Sequence, residues 1–123
     1  MNLIVQQLKD EFQDSDCVWF FVDINYRILA FNKKAAENSL AFHKKQIAPG
    51  QSILDYARDT KNRIDSKFIQ CFGKAASGHP MELEHRISYE AATIVAKSVY
   101  TPVLQNERLE GVSITVHYRT ATE

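Results

Sequence analysis

The sequence predicts an α+β domain built around an antiparallel sheet. Two observations lead there. Strand-like runs come in two groups, one near the N-terminus and one at the C-terminal end, and helix-period segments lie between them. Length and composition also fit one core: 123 residues, 45% apolar and 24% charged, close to globular averages.

The elements follow in order. Ile4, Leu8 and Phe12 fall at i, i+4 and i+8, one stripe of an amphipathic helix over residues 1–13, which Asp14-Ser15-Asp16 breaks. Cys17 to Asp23, CVWFFVD, is dense in aromatic and β-branched residues and reads as a strand. It is apolar on both faces, so it needs cover on both sides of its sheet. The N-terminal helix or a partner subunit is the second cover. Arg27 to Phe31 is a second strand, and the short gap between the two favours a hairpin. Asp23 is placed to order that hairpin by accepting from backbone amides. Asn32 reads as a helix N-cap, with Ala35, Ala36 and Leu40 on the apolar face behind it.

Ala48-Pro49-Gly50-Gln51 is a turn, and Ser52 with Asp55 resembles a capping box opening a short helix. A longer helix spans about residues 61–77, with Ile64, Phe68, Phe72 and Ala75 as its stripe and Cys71 beside it. Gly78 fits the C′ position and Pro80 the stop. From Met81 the period changes to two: Met81, Leu83, His85 and Ile87 alternate with Glu82, Glu84, Arg86 and Ser88. Thr93 to Val103 is a strand ending at Pro102. Gln105 to Arg108 is a turn, and Gly111 to Tyr118 is the last strand.

Charge excludes some classes. The chain carries 15 basic and 15 acidic residues and no block of one sign. That argues against nucleic acid or a membrane surface as a partner. The longest apolar run, Cys17 to Val22, falls far short of a membrane span, and the N-terminus lacks the layout of a signal peptide. A cytoplasmic location is expected, alone or within a membrane-anchored parent. Cys17 and Cys71 lie in apolar stretches outside any CxxC spacing and read as buried thiols.

Taken together, these residues resemble a PAS domain. The matching pieces are the apolar strand ending in Asp23; Arg27-Ile28-Leu29 and Phe31-Asn32 with Ala35-Ala36; Pro49 to Asp55; Phe68, Phe72, Ala75 and Gly78; Tyr100 to Val103; and Gly111-Val112. The wording PGQSILDY and FNKKAAE looks most like PAS domains of bacterial sensor histidine kinases. The resemblance implies a five-stranded antiparallel sheet with helices on one face and, often, a pocket between them. The domain then spans 14–119, with a C-terminal junction at 120–123.

Three departures stand out. The family's first hairpin usually has Gly where Tyr26 stands. Asn25 tolerates positive φ, so Asn25 or a wider loop is expected to supply the turn, with Tyr26 at the surface. The family often has Trp early in the strand leading to the Pro, where this chain has Ile94-Val95-Ala96. It often closes on Asp-Ile-Thr, where this chain has Tyr118-Arg119-Thr120.

Chemistry is sparse. Haem in this family needs an axial His on the long helix, and Lys61 to Ser77 holds none; His79 lies just past its end. Flavin-adduct chemistry needs an Asn-Cys-Arg-Phe-Leu-Gln sequence that is absent. Haem and flavin are therefore not expected, and no metal is expected either: Glu82 and Glu84 share one strand face, but His85 lies on the other. The stripe of Ile64, Phe68, Cys71 and Phe72, facing Val95, either packs the core or lines a cavity for a small organic ligand. Asp23, Asp55 and His117 are the candidate acids and bases for a small cavity enzyme, and no spacing brings two of them together.

The resemblance implies a sensory or regulatory module of a bacterial signalling protein, a sensor histidine kinase in the narrower reading. It would sense a small ligand or act through a homodimer, with Ile4, Leu8 and Phe12 at the dimer interface or on the domain's own sheet. No kinase motif is present, so a covalently linked effector domain would carry any output. The alternatives are a ligand-free protein-interaction domain and a small α+β enzyme.

Overall fold

The computed structural model describes residues 3–58, 65–89 and 92–120. The chain runs α1 (Leu3–Phe12), β1 (Val18–Val22), β2 (Ile28–Phe31), α2 (Lys33–Asn38), a π-helical turn (Ser39–His43), α3 (Ile53–Arg58), α4 (Asp65–Ala76), β3 (Met81–Tyr89), β4 (Ala92–Gln105) and β5 (Arg108–Thr120). The five strands form one antiparallel sheet in the order β2-β1-β5-β4-β3. The α+β class and the five-stranded sheet expected from the sequence are both present. Residues 61–64, where the long helix was expected to start, and with them Ile64, lie outside the described residues.

β1 shows why the sheet needs two covers. Its side chains alternate between faces. Trp19 and Phe21 are fully buried in a cluster with Ala30, Val103 and Val5, and Ile4, Leu8 and Phe12 pack against it. The Phe12 ring stacks on Trp19 at 5.5 Å and 9° between planes. Phe20 and Val22 point the other way, into the larger cluster built with α3 and α4. So α1 covers the outer face of its own sheet, and the three residues put forward for a dimer interface pack within the chain. Val5 is the most buried residue of that helix.

Asn32 joins three of these pieces. Its Oδ1 accepts from Ala35 N at 2.9 Å, capping α2, and from Trp19 N at 3.1 Å. Its Nδ2 donates to Phe12 O at 2.8 Å and Cys17 O at 2.9 Å. A primary amide has two donors and two lone pairs, and all four are used here at a site that is 1% exposed.

The first hairpin departs from expectation. Asp23 Oδ1 accepts from Asn25 N at 2.9 Å and Arg27 N at 3.0 Å, and Tyr26 N donates to Asp23 O. But Tyr26 itself takes the left-handed conformation, φ +65°, and Asn25 does not. Nor does Tyr26 lie at the surface. It is half-buried, with its ring 4.8 Å from Phe72 and 6.5 Å from Phe68. Left-handed backbone costs a residue with a Cβ about 1–2 kcal/mol. Burying an aromatic ring against two others offsets that. The turn is held on its far side by the segment after Pro49: Ile53 N donates to Tyr26 O, Ile28 N to Gln51 O, and Arg27 Nη1 to Gly50 O.

Helix α4 ends in a Schellman motif. His79 N donates to Lys74 O, Gly78 N to Ala75 O, and Gly78 sits at φ +98°. β4 was expected to stop at Pro102 and instead runs to Gln105, past a bulge at Val103/Leu104. Beyond Tyr100 it has no β3 partner, so Pro102 borders a sheet neighbour on one side only, where a missing N–H is tolerated. The β4–β5 turn has Asn106 and Glu107 both at positive φ, the pattern of a type I′ hairpin.

Candidate functional site

A cavity of about 110 Å³ lies between the inner face of β3–β5 and the helices packed on it. Small side chains open it. Ala96 and Ser98 of β4 form part of its floor, and Ala35 of α2 and Ala57 of α3 part of its roof. Phe20, Ile53, Phe68, Ile114 and Val116 make the remaining apolar wall. Ala96, in the Ile94-Val95-Ala96 stretch, presents only a methyl group to that floor.

The polar lining comes from Asn38, Ser39, His43, Tyr56, His85, Ser98, Tyr100 and Tyr118. Several of these are engaged with neighbours. Tyr56 Oη donates to Gln51 Oε1 at 2.6 Å, and Ser39 Oγ to Lys45 O at 2.7 Å. Asn38 Nδ2 donates to Tyr118 Oη at 3.3 Å, and the Phe42 ring stacks on Tyr118 at 5.9 Å. The π-helical turn thereby holds the end of β5. Its wider backbone ends at Lys44, which is left-handed at φ +56°.

His85 differs. It enters from β3, opposite Ala96, and neither Nδ1 nor Nε2, both buried, meets a hydrogen-bond partner among the described residues. Burial, with Lys67 as a second and smaller cause, lowers its pKa below the usual imidazole range. The ring is therefore neutral, offering one N–H and one lone pair. Burial drives the Tyr100 phenol well above its ordinary range, helped by Cys71 and opposed by a hydrogen bond with Ser98. It stays protonated.

Of the residues expected to line a pocket, Phe68 does so. Cys71 and Phe72 lie in the core cluster around it and are not part of the lining. Val95 is buried, but its register is opposite to that of Ala96, Ser98 and Tyr100, so it faces away from the cavity. Asp23 and Asn32 act in the backbone, as described above. Asp55 and His117 are exposed and, like Asp23, stay out of the lining. Burial raises the Cys71 thiol, an effect Lys74 opposes, which leaves it un-ionised and weakly reactive at neutral pH. Cys17 and Cys71 are both free. Among the described residues no three His, Cys, Asp or Glu side chains gather to hold a metal. On the outer face Glu84 pairs with Arg119 at 3.1 Å and Glu82 with Lys97 at 3.8 Å.

Sequence reasoning missed His85 as a cavity residue. The signal was present: in Met81, Leu83, His85, Ile87 it is the one polar member of an otherwise apolar alternation.

No family model and no curated protein matches the sequence. Solved structures do. A PAS domain from Colwellia psychrerythraea superimposes with TM-score 0.66 at 18% identity, covering 95% of this chain and 98% of that one. A sensory box sensor histidine kinase from Vibrio cholerae gives 0.58 at 13%, covering 94% and 88%. The phage VqmA–DPO complex gives 0.74 at 14%, covering 94% of this chain and 52% of that chain. The chain thus spans about half of that VqmA structure. The fold here is that of a PAS domain. No helix among the described residues is long and apolar enough to cross a membrane.

Proposed function

We propose that this chain is the sensory module of a bacterial signalling protein, taking up a small molecule in the cavity between β3–β5 and the helices. The observation that carries this reading is His85. A buried imidazole with both nitrogens unmet is costly, and a ligand or ordered water in the cavity removes the cost. The effector then lies in a linked domain. A sensor histidine kinase shares the fold, and so does VqmA, which has been solved in complex with a ligand and DNA. Within this reading the module has no catalytic step.

Two measurements on the purified chain test it. Native mass spectrometry is expected to show a small molecule that is lost on denaturation. In ¹H–¹⁵N NMR, xenon under pressure is expected to shift the amides of Ala96 and Ile114. A chain with no bound molecule and no xenon response has a filled core. That outcome would make it a ligand-free interaction domain.

A further inference from the structure

The chemistry of the lining narrows what the cavity can take, an inference that rests on reading it as a ligand site. Three observations bear on the class of ligand. Among the described residues no Lys, Arg, Asp or Glu lines the cavity, and Lys67 acts on His85 only from outside the lining, so an ionised ligand would have no counter-charge in that wall, which is unfavourable. The volume is about 110 Å³, on the scale of an engineered apolar cavity of about 150 Å³ that takes up benzene. A molecule of about one small ring is on that scale. And while Tyr56, Ser39 and Asn38 already donate to protein oxygens, His85 presents a donor and an acceptor that nothing among the described residues meets.

We infer that the cavity selects a neutral molecule about one ring in size whose donor or acceptor group bonds a ring nitrogen of His85, with its apolar part against Phe68 and Ile114. The lowered imidazole pKa agrees with this, since a neutral ring keeps both an N–H and a lone pair. Tyr100, held protonated beside Ser98, adds no charge to the same wall.

Three probes of nearly equal shape test the selection: benzamide, which is neutral with a donor and an acceptor; benzoate, its anionic counterpart; and toluene, which is apolar. Each is titrated into the ¹⁵N-labelled chain and into the His85→Leu and His85→Gln variants, with thermal melting as the check on folding. Benzamide is expected to bind the unmodified chain at least about tenfold more tightly than benzoate or toluene. His85→Leu is expected to remove that preference over toluene, and His85→Gln, which keeps a donor and an acceptor, to retain part of it. Benzoate or toluene binding as well as benzamide overturns the ligand class, as does a benzamide preference that survives in His85→Leu. Either result leaves the cavity reading standing, because a probe has entered. If none of the probes binds and xenon shifts nothing, the cavity reading itself fails.

Discussion

The ring of Tyr26 lies 4.8 Å from the ring of Phe72, and the contact sits beside a backbone at φ +65°. Strain and packing are thus opposed at one residue, and substitutions separate them. Tyr26→Ala loses the ring and keeps the strained Cβ. Tyr26→Gly loses the ring and relieves the strain. Both variants are expected to be less stable than the parent, with Gly the better by about 1 kcal/mol. Elsewhere in folded chains Ala is usually the more stabilising of the two. Urea unfolding of the two variants side by side decides; Ala equal to or above Gly would sink the account.

Asn32→Asp changes one side-chain atom type. It keeps the cap acceptor and removes both donors, turning a carboxylate toward Phe12 O and Cys17 O in a site 1% exposed. A loss of about 3 kcal/mol or more is expected at neutral pH, easing as acid protonates the new carboxyl. A chemical-denaturation series across pH reads both the size and the direction.

Gly111 has no room for a methyl group. An added Cβ would lie 2.6 Å from Val22 O and 2.8 Å from Phe21 Cζ, and φ there is +158°. One obstacle is backbone in a central strand and the other a fully buried ring, so neither yields easily. Gly111→Ala is expected to cost about 2–3 kcal/mol, measured as a fall in melting temperature. A change within error would mean that β1 and β5 are less tightly registered than described.

His85 makes stability depend on pH. Its folded pKa lies below the unfolded value, so the unfolded chain binds the proton first as pH falls. Stability is therefore full above about pH 6.5 and declines as pH drops toward the depressed folded value. His85→Leu removes this dependence and an unmet polar group together. It is expected to be about 1 kcal/mol more stable at neutral pH and to gain further on the parent at pH 5. The other histidines are common to both proteins, so the difference isolates His85. A stability difference that stays flat from pH 7 to pH 5 would count against a buried neutral ring.

Phe12→Ala probes the outer cover. It removes the ring stacked on Trp19 and is expected to cost about 2 kcal/mol. Light scattering on the same sample reports the assembly state. Destabilisation without a change in that state is the outcome for a helix that covers only its own sheet.

Much of this architecture was legible because its causes are local. Asn32 before an apolar helical stripe, Gly78 ahead of Pro80, and the two-sided apolar run of β1 each act within a few residues of themselves. What escaped the sequence depends on distant partners. Tyr26 takes a glycine's conformation because Phe68 and Phe72, more than forty positions away, bury its ring. Val95 and Ala96 are neighbours, and only register decides which one faces the cavity. The π-helical turn has no periodicity signature of its own; it exists where Ser39 bonds back to Lys45. The cavity is a property of four small side chains from three elements, and no single segment announces it.

Tyr118 is a wall of the cavity and also a rung near the end of β5, latched to Asn38 by one bond of 3.3 Å. A bond of that kind is worth about 1 kcal/mol net. The Phe42 ring stacked on Tyr118 adds a second hold, so release of the side chain has to offset both contacts. Tyr118 thus ties the cavity wall to the end of β5 with no residue between them.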